Sequence, residues 1–510
     1  MRAAQGPNVG ARVRAALRVE RWGLAAMGLG VLLWLAAPAW MDLGYDASAY
    51  VATGHGFART GELVLAWGDV LTFAPAPEGH SHHFPPAYPL YLGFVFKLFG
   101  YGLAQAKWAA VAASLLALAV AYACTRDLYG RTAAAVVGGL LALSPHLLWV
   151  TGMGYSEGLA TALFTLTMWA IVRSLRDERF IVPGGLFAGV AYLARASMGA
   201  FFLIAGLAGL AWRVRHRGWV RTFSSPWYGL AIVLFALVVG AWAWRNVALF
   251  GWPNWETSVG SRGIPRWVWE HRPEFRLGLL VRAPLMLSVL APWLVLLWPE
   301  ARRSFRRIRE ESTSGLWLAV VLVWVLGLLF AAAYFSMGPT RHEMLRLDTM
   351  RYVMVGVVPL AWALVREADW DAPGTRRRWL ALGGAMLAGC VLLATFPPHY
   401  LPAQAARAVD PWLREGDDVA IAGAGKYAIY AYVSDPVGLD VYVDGTQPEG
   451  VRPEWRIALW PQDYEGYVKV TEETLAHPWW PATDDYAAVW VREDVAAERG
   501  VAAGEMRPGW

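Results

Sequence analysis

The chain has 510 residues, a net charge of +5 and a mean hydropathy of +0.35, and only 17% of its residues are charged. A soluble protein usually carries about 25% charge, and here the apolar residues gather in runs that can cross a bilayer, which takes about 20 residues per helix. These numbers exclude an ordinary soluble enzyme. They also exclude a nucleic-acid binder, because the basic residues form short clusters between apolar runs, which is how membrane topology is encoded.

The 30 Trp residues fit the same reading, since the indole ring suits the membrane–water interface. Cys124 and Cys390 both lie in apolar segments and imply neither a disulfide framework nor a metal site. At the N-terminus, Arg2, Arg12, Arg14, Arg18 and Arg21 precede an apolar run from Trp22 to Trp40. Ala37-Pro38-Ala39 resembles a cleavage site, but the length of the run and the spans that follow fit a retained signal anchor better.

Basic clusters recur at 2–21, 126–131, 173–179, 213–221, 302–309 and 366–378, and the positive-inside rule places all of them in the cytoplasm. An even number of crossings must then separate them. Spans at 22–40, 102–124, 132–150, 158–172, 181–194, 197–212, 227–244, 278–298, 315–336, 351–366 and 378–396 meet that condition, eleven in all. Two decisions carry the count. The apolar stretch from Pro85 to Gly100 is short and opens with prolines, so it reads as a helix at the outer interface. The stretch 181–212 holds Arg195 near its middle, and a central Arg costs about 2.5–3.5 kcal/mol. Two short helices with Arg195 at the outer turn avoid that cost.

The fold class expected from this is a polytopic α-helical membrane protein with a small mixed α/β extracytoplasmic domain at its C-terminus. A basic cytoplasmic segment spans 1–21, the transmembrane catalytic domain 22–396 with a large outer loop at 41–100, and the soluble domain 397–510. Strands are predicted at 418–422, 441–443 and 486–491.

The outer segments hold the chemistry. Asp42 and Asp46 follow the first span, and a spacing of four would put them on one face of a helix. Either carboxylate can serve as a general base for an attacking hydroxyl, although charged helix ends are also common as plain solvated caps. His80, His82 and His83 are either metal ligands or a polar turn before the interfacial helix. Glu157, in the tight loop Gly152-Met153-Gly154-Tyr155-Ser156-Glu157-Gly158, can cap its helix or join the same site. Arg351 and Tyr352 open the tenth span after Arg341, His342, Glu343, Arg346 and Asp348. Such arginines can snorkel at the surface or grip phosphate through paired hydrogen bonds.

Taken in order, these pieces resemble the GT-C glycosyltransferases, especially protein O-mannosyltransferases and lipid A aminoarabinose transferases. The resemblance rests on Asp46, Tyr50 and Gly54-His55-Gly56; on His83-Phe84-Pro85-Pro86 with Lys97-Leu98-Phe99-Gly100; and on Leu128-Tyr129-Gly130-Arg131 with Leu143-Ser144-Pro145. Ser156-Glu157, Leu193-Ala194-Arg195, Trp244-Arg245-Asn246 with Phe250-Gly251-Trp252-Pro253, and Arg351-Tyr352 with Pro359-Leu360 complete it, over about residues 20–365. The chain departs from the pattern at Ala47, where an acid often follows the catalytic Asp, and in lacking the Lys common before Pro-Pro.

The resemblance implies a GT-C-like membrane glycosyltransferase at the bacterial plasma membrane. It would move a sugar from a polyprenyl-phosphate donor to a hydroxyl of a lipid, glycan or protein acceptor on the outer face, with inversion. Asp46 would be the base, with Asp42 as the alternative, and Glu157 a supporting acid. Arg351 and Arg195 would contact the donor phosphate, and Tyr50, His83 and Tyr352 would line the substrate. It fixes no cofactor; a divalent cation is the one candidate. Two other readings stand beside it, a transporter or flippase of lipid-linked sugars and a surface-polysaccharide ligase or polymerase. Transporters tend to show paired halves, and no duplication is visible here.

Overall fold

The computed structural model describes residues 9–39, 41–64, 84–196, 198–251, 297, 299–300, 302–303, 354–366, 368–370, 372–395, 401–421, 439–443, 450–458, 462–474 and 486–504. The expected spans at 278–298 and 315–336 lie almost wholly outside them. In chain order the helices are α1 (Val9–Ala36), α2 (Tyr45–Thr60), α3 (Ala87–Phe99), α4 (Leu103–Tyr129), α5 (Arg131–Ala142), α6 (Pro145–Gly152), α7 (Glu157–Ser174) and α8 (Ile181–Ala194). They continue with α9 (Met198–Arg217), α10 (Trp219–Phe223), α11 (Pro226–Phe250), α12 (Val357–Val365), α13 (Pro373–Thr395), α14 (Leu401–Val409) and α15 (Glu493–Arg499).

Among the described residues, four helical stretches are long and apolar enough to cross a membrane: Leu17–Ala39, Leu103–Tyr129, Pro226–Phe250 and Gly374–Thr395. The bent pair α5–α6 meets the same test when its two helices are taken together, as a broken span or a re-entrant loop. This pair corrects the expectation of one continuous span at 132–150. Pro145 has no N–H to continue the helix, and Ser144 caps α6 by accepting from the Leu147 N–H at 3.4 Å. The chain therefore bends by 55° at this point. The expected break at Arg195 is present, since α8 ends at Ala194 and α9 starts at Met198. With 13 residues, α3 is about 20 Å long, short of the roughly 30 Å hydrocarbon core, and it packs against α2.

Membrane helices gain little from the hydrophobic effect against lipid, so close backbone approach carries much of their packing. The contact of α1 with α5 shows this. A β-carbon added at Gly30 would lie 2.4 Å from the Ala142 carbonyl carbon, and one at Gly23 would lie 2.5 Å from that of Ala135. Some buried polar atoms are tied across helices. The Trp362 indole N–H donates to Thr125 Oγ1 at 2.6 Å, linking α12 to α4.

Ion pairs tie the basic clusters together at one end of the bundle. Arg173 meets Asp127 at 3.1 Å, joining α7 to α4. Glu178 receives Arg213 at 2.5 Å and also Arg217 and the Ser225 hydroxyl. Buried Glu300 takes Arg303 at 3.1 Å and Arg378 at 2.5 Å. These pairs bring the C-terminal ends of α4, α7 and α9 together with the starts of α8 and α11.

The C-terminal unit is a five-stranded mixed sheet in the order β2-β1-β3-β5-β4. Its strands are β1 (Asp418–Ile421), β2 (Asp440–Val443), β3 (Trp455–Ala458), β4 (Tyr467–Thr474) and β5 (Tyr486–Arg492). β2 and β3 run parallel to β1, which lies between them, while β5 runs antiparallel to β3 and β4. Strands β1, β2 and β5 match the expected ones; β3 and β4 are additions. Asp417 at the start of β1 anchors the unit, accepting from Arg499 of α15 at 2.7 Å and from the Trp455 indole at 3.2 Å.

Candidate active site

The segment 41–44 leaves the end of α1 and runs into the bundle. Met41, Asp42, Leu43 and Gly44 are all buried. They lie against the loop between α6 and α7, with the Gly44 N–H donating to the Met153 carbonyl at 2.9 Å. The fit is close enough to explain two glycines. A β-carbon at Gly44 would sit 2.1 Å from the Tyr155 hydroxyl, and Gly154 holds φ +76° with Leu43 against it. The Gly-Met-Gly-Tyr loop is thus the socket into which the segment carrying Asp42 and Asp46 is seated.

Asp46 lies in the first turn of α2 and is half-buried. The same-face argument for Asp42 and Asp46 fails, because α2 starts only at Tyr45 and Asp42 sits on the extended segment before it. The two carboxylates have different settings. Asp42, 4% exposed, accepts from Arg407 of α14 at 2.8 Å. Nearby, Lys107 of α4 donates to the Pro38 carbonyl at 2.9 Å. Asp42 thus clamps the first helix of the C-terminal unit onto the end of α1.

Glu157 and Arg195 meet. Glu157 opens α7 and is fully buried; Arg195, in the break between α8 and α9, is 6% exposed and donates through Nη1 to Glu157 Oε1 at 2.5 Å. A buried ion pair of this kind is costly to form and costlier to break from one side. The sequence alone assigned the two residues separate roles, a supporting acid and a phosphate contact; the fold makes them one unit.

Tyr50 lies one turn along α2 from Asp46. Its ring packs edge-on against Phe84 at 4.9 Å and Tyr88 at 5.2 Å, leaving it 4% exposed. Tyr88 in turn donates from its hydroxyl to the Gly154 carbonyl at 3.0 Å, fixing α3 to the same loop. His55 stacks on Tyr101 at 3.8 Å. At the far end of α11, Arg245 donates to the Leu63 carbonyl at 3.3 Å, bringing that helix to the segment that follows α2.

The ends of α1, α6, α8 and α11 thus converge with α2, α3 and α14, opposite the end that carries the basic clusters. His80, His82, His83, Arg341, His342, Glu343, Arg346, Asp348, Arg351 and Tyr352 lie outside the described residues. Among those described, no three His, Cys, Asp or Glu side chains gather to hold a metal ion. The sequence reading missed Arg407, Lys107 and Tyr88 altogether. Arg407 is 365 residues from its partner, and no local pattern announces such a contact.

Residues 83–244 match the family model for dolichyl-phosphate-mannose-protein mannosyltransferase. No curated protein matches the chain by sequence. Among solved structures the chain is similar to ArnT from Cupriavidus metallidurans bound to undecaprenyl phosphate, with a TM-score of 0.59 and 12% identity over 92% of this chain and 97% of that one. The apo state of the same protein gives 0.55 at 13% identity, covering 93% and 98%. The Archaeoglobus fulgidus oligosaccharyltransferase in complex with Zn and sulfate gives 0.52 at 13% identity, covering 85% of this chain and 67% of that one. The chain therefore has the GT-C glycosyltransferase fold and resembles the lipid-linked-sugar transferases built on it.

Proposed function

We propose that the protein is a membrane glycosyltransferase that moves a sugar from a polyprenyl-phosphate donor to an acceptor hydroxyl, with inversion, on the outer face of a bacterial plasma membrane. The observation that carries this reading is the half-buried Asp46 seated beside the Glu157–Arg195 pair's loop, at the end of the bundle opposite the basic clusters. By the positive-inside rule the basic end is cytoplasmic, so Asp46 faces outward. Nucleotide sugars are made inside the cell, whereas a sugar on a lipid phosphate can reach a site at headgroup depth. That ArnT binds undecaprenyl phosphate supports a donor of this class here.

In this mechanism the acceptor oxygen attacks the anomeric carbon while Asp46 takes the hydroxyl proton. The carbon–oxygen bond to the phosphate breaks, and the polyprenyl phosphate leaves with the electron pair. General-base help of this kind is worth about 10²–10⁴ in rate. Asp42 is less suited to the role, because Arg407 already engages its carboxylate. The Arg195 guanidinium, its plane set by the Nη1 bond to Glu157, would contact the donor phosphate. Arg351 would add a second cation. The developing negative charge on the leaving group requires such preorganised donors. Tyr50 supports the wall of the site through its packing on Phe84 and Tyr88, with His83 and Tyr352 as further lining residues.

The test is transfer of radiolabel from a polyprenyl-phosphate sugar to a new acceptor by the purified protein in lipid. Asp46→Asn should lower the rate by at least about 10²-fold with unchanged thermal unfolding. Label that crosses the membrane without changing its acceptor would identify a transporter instead. Full transfer by Asp46→Asn would remove the assigned base.

A further inference from the structure

At the basic end, α1, α5 and α13 leave a groove of about 720 Å³. Its mouth is formed by Arg18, Arg376, Arg377, Trp22, Trp370 and Trp379. Deeper in, Leu29, Leu140 and Leu387 form the walls, and Gly383 and Gly384 leave the floor open. Leu29 is eleven residues past Arg18 on α1, and Leu387 is eleven past Arg376 on α13. At 1.5 Å per residue the groove runs about 16 Å from its charged mouth. That is half of the roughly 30 Å hydrocarbon core, the depth of a single leaflet.

Two of the side chains lining this groove carry a buried donor without a partner. Arg376 Nε and the Trp379 indole N–H are buried with no hydrogen-bond acceptor among the described residues. Buried donors are seldom left unmet. Here the missing acceptor must also suit a mouth carrying three guanidinium groups and an apolar channel one leaflet deep.

The structure assigns this groove as a binding site for an anionic glycerophospholipid of the leaflet at the basic end. Its phosphodiester accepts from Arg376 and its acyl chains lie along Leu29, Leu140 and Leu387. Guanidinium groups match phosphate oxygens in paired geometry, and basic pockets between membrane helices are suited to acidic headgroups. The site is separate from the one holding Asp46 and takes no part in the proposed transfer. It would anchor α13, the helix that leads into the C-terminal unit, against α1.

The groove can be closed without disturbing the fold, because a β-carbon at Gly383 meets nothing within 4 Å. The full-length protein is delipidated in detergent, titrated with phosphatidylglycerol and followed by native mass spectrometry. Phosphatidylcholine and undecaprenyl phosphate serve as competing probes. Phosphatidylglycerol should bind selectively, and both Gly383→Leu and the double change Arg376→Gln/Arg377→Gln should weaken it roughly tenfold, as loss of a charge-assisted contact implies. Thermal unfolding in detergent without added lipid should stay unchanged for Gly383→Leu. Equal retention of phosphatidylcholine, preference for undecaprenyl phosphate, or wild-type binding by the correctly folded Gly383→Leu protein would overturn the assignment.

Discussion

The two ends of the helix bundle use charge in opposite ways. Among the described residues at the end holding Asp46, Glu157 and Arg195 are buried against each other, and Asp42 is held by Arg407. At the other end arginines are more numerous; Arg213 and Glu300 are buried there too, but Arg173 and Asp127, or Arg217 and Glu178, meet where water can reach them. Exposed pairs contribute about 0–1 kcal/mol. Buried pairs make a group position-specific because either partner alone is strongly disfavoured. The contrast separates residues that orient the protein in its membrane from residues that hold a site in shape.

The sharpest way to break this comparison is to cut the buried pair. Arg195→Ala should lower unfolding stability by about 3–5 kcal/mol, read from thermal unfolding in detergent, because it strands a buried carboxylate. Arg126→Ala, an exposed change at the basic end, should stay within about 0.5 kcal/mol. If the two variants cost the same, the distinction between the ends fails.

Next in size is the helix contact that connects the ends. Gly30→Leu forces a side chain into the Ala142 carbonyl and should cost about 1–3 kcal/mol or more. Gly28→Leu, on the same helix where a β-carbon meets nothing within 4 Å, should be nearly silent by the same assay. Smaller again is Asp42→Asn, which weakens the clamp on α14 by about 1 kcal/mol. Hydrogen exchange in residues 401–409 should quicken while α4 stays protected.

The smallest effect concerns acidity. Burial by itself would raise the Asp417 carboxyl, but hydrogen bonds from Arg499, the Arg414 N–H and Trp455 outweigh it and hold the group below its ordinary value. Its folded pKa is therefore depressed. The stabilisation is complete above the usual carboxylate range and is lost as pH falls through the lowered value. Tryptophan fluorescence of the C-terminal unit should show an acid transition that Asp417→Asn flattens, with the helix bundle unaffected.

Much of this architecture was legible in the residues. The break at Arg195 followed from the cost of a cation at the bilayer centre, and the short α3 from its prolines and length. Strands β1, β2 and β5 showed themselves as β-branched and aromatic runs between turn residues. β3 and β4 did not. Trp-Arg-Ile-Ala is too short to signal alone, and β4 alternates charged residues that read equally well as loop. The bend at Ser144-Pro145 was written in the sequence but hidden by the apolar residues on both sides.

Within the site the balance shifts. Asp46, Glu157 and Arg195 stood out as candidates from residue type and position, yet how they sit relative to one another did not. A hydropathy pattern is local, since each span must meet the same bilayer, and so candidate spans and the basic clusters between them are legible in the sequence alone. Which acid meets which arginine depends on helices packed side by side from distant parts of the chain. Only tertiary structure joined Glu157 to Arg195, 38 residues away, and Asp42 to Arg407, 365 away, because only burial against other helices makes such pairings unavoidable.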